Sequence, residues 1–159
     1  MKRVENGEVG ARGVGPRRAA CVALMVACNV GCDGPLAADI ERQRVIATIE
    51  HYGDPVVVEL PDTVVAGELF EVHVHTYGGG CVDKGDTEVE VLGPVASVTP
   101  YDIEVTHLPE NHYCSDILLI YDHVGLVRIT QGGPATVEVR GRRRPGNEVF
   151  TVERPVYVR

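Results

Sequence analysis

The chain has no tryptophan, only two phenylalanines and only two methionines among its 159 residues. A hydrophobic core must therefore be built from valine, isoleucine and leucine, and the β-branched members of this set favour strands over helices. Beyond residue 45 the apolar residues recur with a period of two, and no stretch keeps a helical period. This pattern predicts an all-β fold.

Long apolar runs are also missing, which excludes a membrane-spanning helix of about 20 residues. The longest run extends from Ala19 to Val30, directly after the pair Arg17 and Arg18. A basic pair followed by about 12–14 apolar residues is typical of a signal peptide. Residues 1–32 are therefore predicted to direct export to the cell envelope.

The apolar run ends in cysteines, and this ending resembles the bacterial lipobox, in which a cysteine after a small residue receives a lipid and becomes the new N-terminus. Both Cys28 and Cys32 follow a small residue. Cleavage before Cys32 leaves two other cysteines, Cys81 and Cys114, whereas cleavage before Cys28 leaves Cys32 as an odd thiol. We expect lipidation at Cys32, with Cys28 as the alternative site. A chain without lipid would be secreted or periplasmic.

Positive charge is scarce once this leader is removed. Residues 1–32 hold five of the 15 Lys and Arg but only two of the 23 Asp and Glu, so 10 basic and 21 acidic side chains remain, a formal net charge of −11. A strongly acidic protein is a poor match for nucleic acid, which needs clustered Lys and Arg. We expect no nucleic-acid partner.

Beyond the leader, residues 33–44 are polar and predict a tether, and residues 45–159 predict one β domain. Short half-apolar strands separated by Gly, Pro, Asn and Asp about every 8–12 residues are typical of two packed sheets. In Phe70–Tyr77 the apolar residues alternate with polar ones that include His73 and His75, so these histidines should face away from the core. The predicted fold is an immunoglobulin-like β-sandwich of about 7–9 strands with one disulfide.

Cys81 and Cys114 are the only cysteines in the predicted β domain. In an oxidising compartment a disulfide is the expected state of such a pair. Both cysteines lie beside turn-forming residues, so the bond should join the end of a strand to a loop. The segment Asp83–Asp86 is predicted to be a tight turn, with a calcium loop as the weaker alternative.

His73 and His75 are spaced i and i+2 on a predicted strand, which places both imidazoles on one face. Paired imidazoles can share Zn or Cu when further ligands converge. The segment from Phe70 to Gly78, followed by Cys81, resembles the His-Val-His segment of copper–zinc superoxide dismutase. The zinc and late copper ligands of that family have no counterpart, so we expect no cofactor, with a Zn or Cu site as the alternative. Further ligands could come from His107, His112 and His123.

A local basic cluster precedes a Pro-Gly-Asn turn and consists of Arg140, Arg142, Arg143 and Arg144. Guanidinium groups bind phosphate and carboxylate through paired hydrogen bonds, so these arginines could hold an anionic glycan or a lipid headgroup. The alternative is pairing with neighbouring acids at a soluble hairpin tip.

Nucleophilic catalysis finds no support in the sequence. A Gly-x-Ser-x-Gly motif is missing, and the predicted β domain has only two serines, Ser97 and Ser115. We therefore expect a protein that is not an enzyme.

The segments Gly67–Phe70, Thr76–Cys81 and Pro100–Asp102, followed by Cys114 and Arg140–Arg142, resemble a largely uncharacterised group of small exported bacterial lipoproteins. The resemblance extends from about Val56 to Arg159 and implies a disulfide-stapled β-sandwich in the cell envelope. The sequence thus predicts a non-catalytic lipoprotein, held to the membrane by its lipid, that binds a protein or glycan partner. An exported Zn- or Cu-binding protein is the alternative.

Overall fold

The computed structural model describes residues 40–110 and 112–159, so the predicted signal peptide, Cys28, Cys32 and most of the predicted tether lie outside the described residues. Within the described part the chain forms ten strands and no helix, and hence no helix that could span a bilayer. The strands are β1 (Glu41–Ile46), β2 (Thr48–His51), β3 (Val58–Glu59), β4 (Thr63–Val64), β5 (Phe70–Gly78), β6 (Val82–Leu92), β7 (Val95–His107), β8 (Leu119–Val127), β9 (Gly133–Arg144) and β10 (Glu148–Val158).

The strands pair into one continuous, curled sheet. Its main path runs in the order β1-β7-β9-β2-β5-β3, while β6 pairs with β7, β8 with β5, and β10 with both β9 and β4. Because each strand is apolar on one side only, the sheet curls so that β5 and β8 face β6 and β7 across a shared core. The predicted all-β sandwich class with one disulfide is confirmed.

The core is aliphatic, as the shortage of aromatic residues requires. Val72 and Val74 of β5, Val98 of β7, and Val137 and Val139 of β9 are all fully buried. The strand count is ten rather than seven to nine, because two strands are only two residues long and the first segment is divided into β1 and β2.

The strands β1 and β2 form a wedge between β7 and β9. β1 runs antiparallel to β7, with Glu41 opposite His107. The chain then reverses at the buried Ala47, and β2 returns parallel to β9, with His51 opposite Arg144. The start of β1 and the end of β2 therefore lie at the same end of the sheet, where β7 and β9 finish. We call this end of the sheet the cleft end. β1 begins four residues before the predicted start of the domain at residue 45.

The segment Asp83–Asp86 is part of β6, so the predicted turn is wrong. Its first acid pairs with Arg42 of β1 at 3.0 Å and its last acid with Arg44 at 2.8 Å. The strand continues through this segment with a bulge, because Gly85 has no side chain to collide with the backbone of Tyr101. Ladder pairing with β7 and charge pairing with β1 override the local turn preference.

The predicted disulfide between Cys81 and Cys114 is present, with the two Cα atoms 5.2 Å apart. Cys81 directly precedes β6, and its carbonyl accepts a hydrogen bond of 2.9 Å from the N–H of Val105 on β7. Cys114 belongs to the loop that connects β7 to β8. The bond therefore joins a strand end to a loop, as predicted, and fastens that loop at the cleft end.

Candidate functional site

A cleft of about 520 Å³ opens at the cleft end of the sheet. The turn after β2 forms one side, the disulfide and the loop Cys114–Leu118 form the other, and the ends of β5 and β7 lie between them. The side chains best suited to hold a ligand are three rings and three charged groups: His51, Tyr52, Tyr77, Glu104, Asp116 and Arg144.

The three rings form a connected aromatic surface. His51 stacks on Tyr77 with ring centroids 5.3 Å apart and 26° between the planes, and it meets Tyr52 edge-on at 4.7 Å. Desolvation by burial, followed by the nearby charge of Asp54, raises the pKa of Tyr77, so its phenol is a protonated hydrogen-bond donor at neutral pH. The surface offers flat apolar faces beside a polar donor.

Tyr52 occupies an unfavourable position for its residue type. It lies in a tight turn in which the N–H of Asp54 donates to the carbonyl of His51, and its φ is +51° while that of Gly53 is +92°. Two positive φ angles define a type I′ turn, whose first central position favours Asn over a bulky residue. The Tyr52 ring is nonetheless 71% exposed at the edge of the cleft. An exposed ring on a strained backbone is more typical of a binding position than of a structural one.

Arg142 and Arg144 of the predicted anion patch share one carboxylate. Glu104 lies 3.5 Å from Arg142 Nη1 and 3.9 Å from Arg144 Nη2. Both distances are longer than those of a close, hydrogen-bonded ion pair. The Glu104 carboxylate and the Arg144 guanidinium can therefore rearrange around a polar ligand in the cleft.

The other two arginines of the patch lie apart from the cleft. Arg143 pairs with Glu50 at 2.9 Å and with Glu148 at 3.8 Å. Arg140 is exposed in a separate depression of about 190 Å³ that also contains Glu88 and Glu90. The four arginines are thus spread over acidic neighbours, and their role in binding an anion stays a prediction.

His73 and His75 lie on the outer face of β5, as the alternation predicts. His73 Nδ1 is 3.0 Å from Asp122 Oδ2 of β8, and His73 Nε2 is 3.2 Å from Glu71 Oε2. Carboxylates on both ring nitrogens stabilise the imidazolium, so the contact with Asp122 and then that with Glu71 raise the pKa of His73.

We expect the stabilising contribution of His73 to disappear as the pH rises through its raised pKa. The pKa is above 6.5 in the folded chain, so the folded state binds the proton more tightly than the unfolded state does. The contribution is therefore complete below pH 6.5 and is lost above the folded pKa. Urea unfolding at about pH 5 and about pH 9, compared between wild type and Asp122→Asn, measures the difference.

An NMR titration of wild type and Asp122→Asn measures the His73 pKa directly. Asp122→Asn should lower the His73 pKa and reduce the change of stability with pH. A wild-type His73 that titrates at or below 6.5 would contradict the assignment.

The histidines predicted as further metal ligands separate in the structure. His123 is fully buried, whereas His107 and His112 are exposed. In residues 40–110 and 112–159, no group of three or more His, Cys, Asp and Glu side chains is arranged to hold a metal ion.

A buried polar chain lies below the cleft. His123 Nε2 is 3.2 Å from Asp102 Oδ1, and both side chains are fully buried. His123 Nδ1 is 3.3 Å from Thr87 Oγ1, so the chain connects β7, β8 and β6. Glu104 lines the cleft, and Asp102 lies two residues before it on the same face of β7. Asp102 is therefore the next side chain inward from the cleft along that face. The sequence pattern did not reveal this pair, because its members lie on different strands.

No protein-family description, curated protein or solved structure matches this chain.

Proposed function

We propose that this protein is an exported, lipid-anchored envelope protein whose β domain is a non-catalytic binding module. The observation that carries the proposal is the cleft, in which an exposed ring on a strained turn stands beside a stacked ring pair and a loosely paired Glu104 and Arg144. Convergent polar groups in a partly apolar concavity are the usual form of a ligand site.

A glycan fits this cleft better than a folded protein surface does. Sugar rings carry C–H groups on their faces and hydroxyls on their edges. Flat aromatic rings cover the faces, and carboxylate and guanidinium groups bind the hydroxyls. Tyr52, Tyr77, Glu104 and Arg144 supply both kinds of contact within one cleft.

The envelope location is supported by the leader and by the disulfide. The signal-like segment ends at cysteines, and the Cys81–Cys114 bond is of a kind that persists in oxidising compartments. The alternative of an exported Zn- or Cu-binding protein using His73 and His75 stays a prediction, as does the resemblance to small exported lipoproteins.

Replacing Tyr52 with asparagine should separate binding from stability. Asparagine suits a type I′ turn, so the free energy of unfolding should stay unchanged or rise by up to about 1 kcal/mol. Loss of the ring should weaken glycan binding about ten-fold. The measurement is isothermal titration calorimetry with a panel of soluble envelope oligosaccharides, together with urea unfolding.

Tyr157→Asn is the matched control, because Tyr157 is also exposed but lies on β10 next to Pro134, away from the cleft end. It should leave binding unchanged. Equal oligosaccharide binding by wild type and Tyr52→Asn, or no binding by wild type to any member of the panel, would contradict the glycan assignment.

A further inference from the structure

The loop before β8 and the start of that strand expose an unusual amount of apolar surface. Tyr113, Ile117, Leu118, Leu119 and Ile120 are each between 42% and 86% exposed. Scattered apolar residues are common on protein surfaces, but four aliphatic side chains exposed in succession indicate a contact with another apolar phase. We refer to these five residues as the apolar loop.

The apolar loop and the start of the domain lie at the same end of the sheet. Glu41, the first residue of β1, pairs with His107, the last residue of β7, from which the loop departs. The Cys81–Cys114 bond then holds the loop next to the first residue of β6. The predicted tether therefore joins the domain at the end of the sheet where the apolar side chains are exposed.

The tether length sets how far this end can be from a membrane. A lipid on Cys32 is eight residues from Ile40, and this segment can extend at most about 26–29 Å. The far end of β7 is about 40 Å further away, given 3.3 Å per residue. Of the two ends of the sheet, the cleft end is thus the one that an anchor keeps close to the bilayer.

We infer that the apolar loop inserts into the surface of the membrane that holds the lipid anchor. The inference rests on the anchor in the proposed function. An apolar contact beside the anchor buries additional apolar surface in the bilayer and holds the cleft end of the domain against it. The mature chain carries a net charge of −11, so the contact is apolar rather than electrostatic and should persist in high salt.

This contact also restricts the ligand of the cleft. Ile117 and Leu118 belong both to the apolar loop and to the wall of the cleft. With the loop inserted, the cleft opens at the bilayer surface, and its glycan is one that the membrane itself presents, such as the sugar headgroup of a glycolipid.

The test uses the absence of tryptophan from the chain, because any single Trp variant carries one fluorescent reporter. Leu118→Trp and Ile120→Trp place the reporter in the apolar loop, and Leu126→Trp places it on β8 at a similarly exposed position opposite Glu71. The full chain carrying its lipid is reconstituted in phosphatidylcholine vesicles with brominated acyl chains. We expect a blue shift and about two-fold quenching at positions 118 and 120, and neither change at position 126.

Failure of the inference and failure of the anchor give different results. A lipid-bearing chain that floats with the vesicles, yet shows no quenching at 118 or 120, would overturn the inference alone. Quenching that is equal at 126, or that disappears in high salt, would also overturn it. If the protein isolated from its host carries no lipid and does not float with the vesicles, the anchor and the inference fail together.

Discussion

Replacing Asp102 with alanine is expected to lower the free energy of unfolding by about 1–3 kcal/mol. The change leaves His123 fully buried with Thr87 as its remaining hydrogen-bond partner. A buried polar group that loses its partner pays the full cost of leaving water, which exceeds the net value of the original hydrogen bond. Urea unfolding at neutral pH should show the loss as a lower midpoint with an unchanged slope.

Two further variants test whether loss of the Asp102–His123 pair causes the loss of stability. Asp102→Leu combined with His123→Leu removes both polar partners and should recover most of the lost stability, since apolar replacements of a buried pair are often neutral. Asp122→Asn removes a carboxylate from the partly exposed His73 and should have a much smaller effect than Asp102→Ala. Wild-type stability in Asp102→Ala would contradict the role of the buried pair.

Removing the disulfide with Cys81→Ser and Cys114→Ser should cost about 3–4 kcal/mol and lower the melting temperature by about 10–20 °C. The bond joins residues 33 positions apart, and its loss frees that segment in the unfolded chain. In the folded protein, the loop that forms one side of the cleft loses its attachment to β6. Thermal unfolding followed by circular dichroism measures the effect.

Chemical reduction supplies the control for this pair of substitutions. Dithiothreitol should destabilise the wild type to the level of the double variant and should leave the double variant unchanged. A reduced wild type that melts at the oxidised temperature would show that the bond does not constrain the fold.

The sequence predicts those features that depend on neighbouring residues. The alternation in β5 correctly places Val72 and Val74 in the core and His73 and His75 outside, because a strand has only two faces. The disulfide was predictable because the β domain has only two cysteines. Both predictions use the local period or the composition and need no knowledge of strand order.

The predictions that failed depend on which strands meet. Asp83–Asp86 has the composition of a turn, but Arg42 and Arg44 from β1 compensate its acids and β7 pairs with its backbone. The local sequence does not show that β1 and β7 lie beside this segment.

The cleft could not be predicted for a related reason. Its principal side chains, His51, Tyr77, Glu104 and Arg144, come from four separate strands. The wedge of β1 and β2 between β7 and β9 brings them together, and no local pattern indicates this wedge. A bulky tyrosine directly before the turn glycine Gly53 was a sequence feature that could have indicated the site, because a type I′ turn favours asparagine at that position.

The most direct test is the intact mass of the protein isolated from the membrane fraction of its host, alkylated without prior reduction. We predict a chain that begins at Cys32, carries a lipid adduct, and has Cys81 and Cys114 bonded and unalkylated. A chain that retains residues 1–31, or one with both Cys81 and Cys114 alkylated, would contradict an exported, lipid-anchored and disulfide-stapled module.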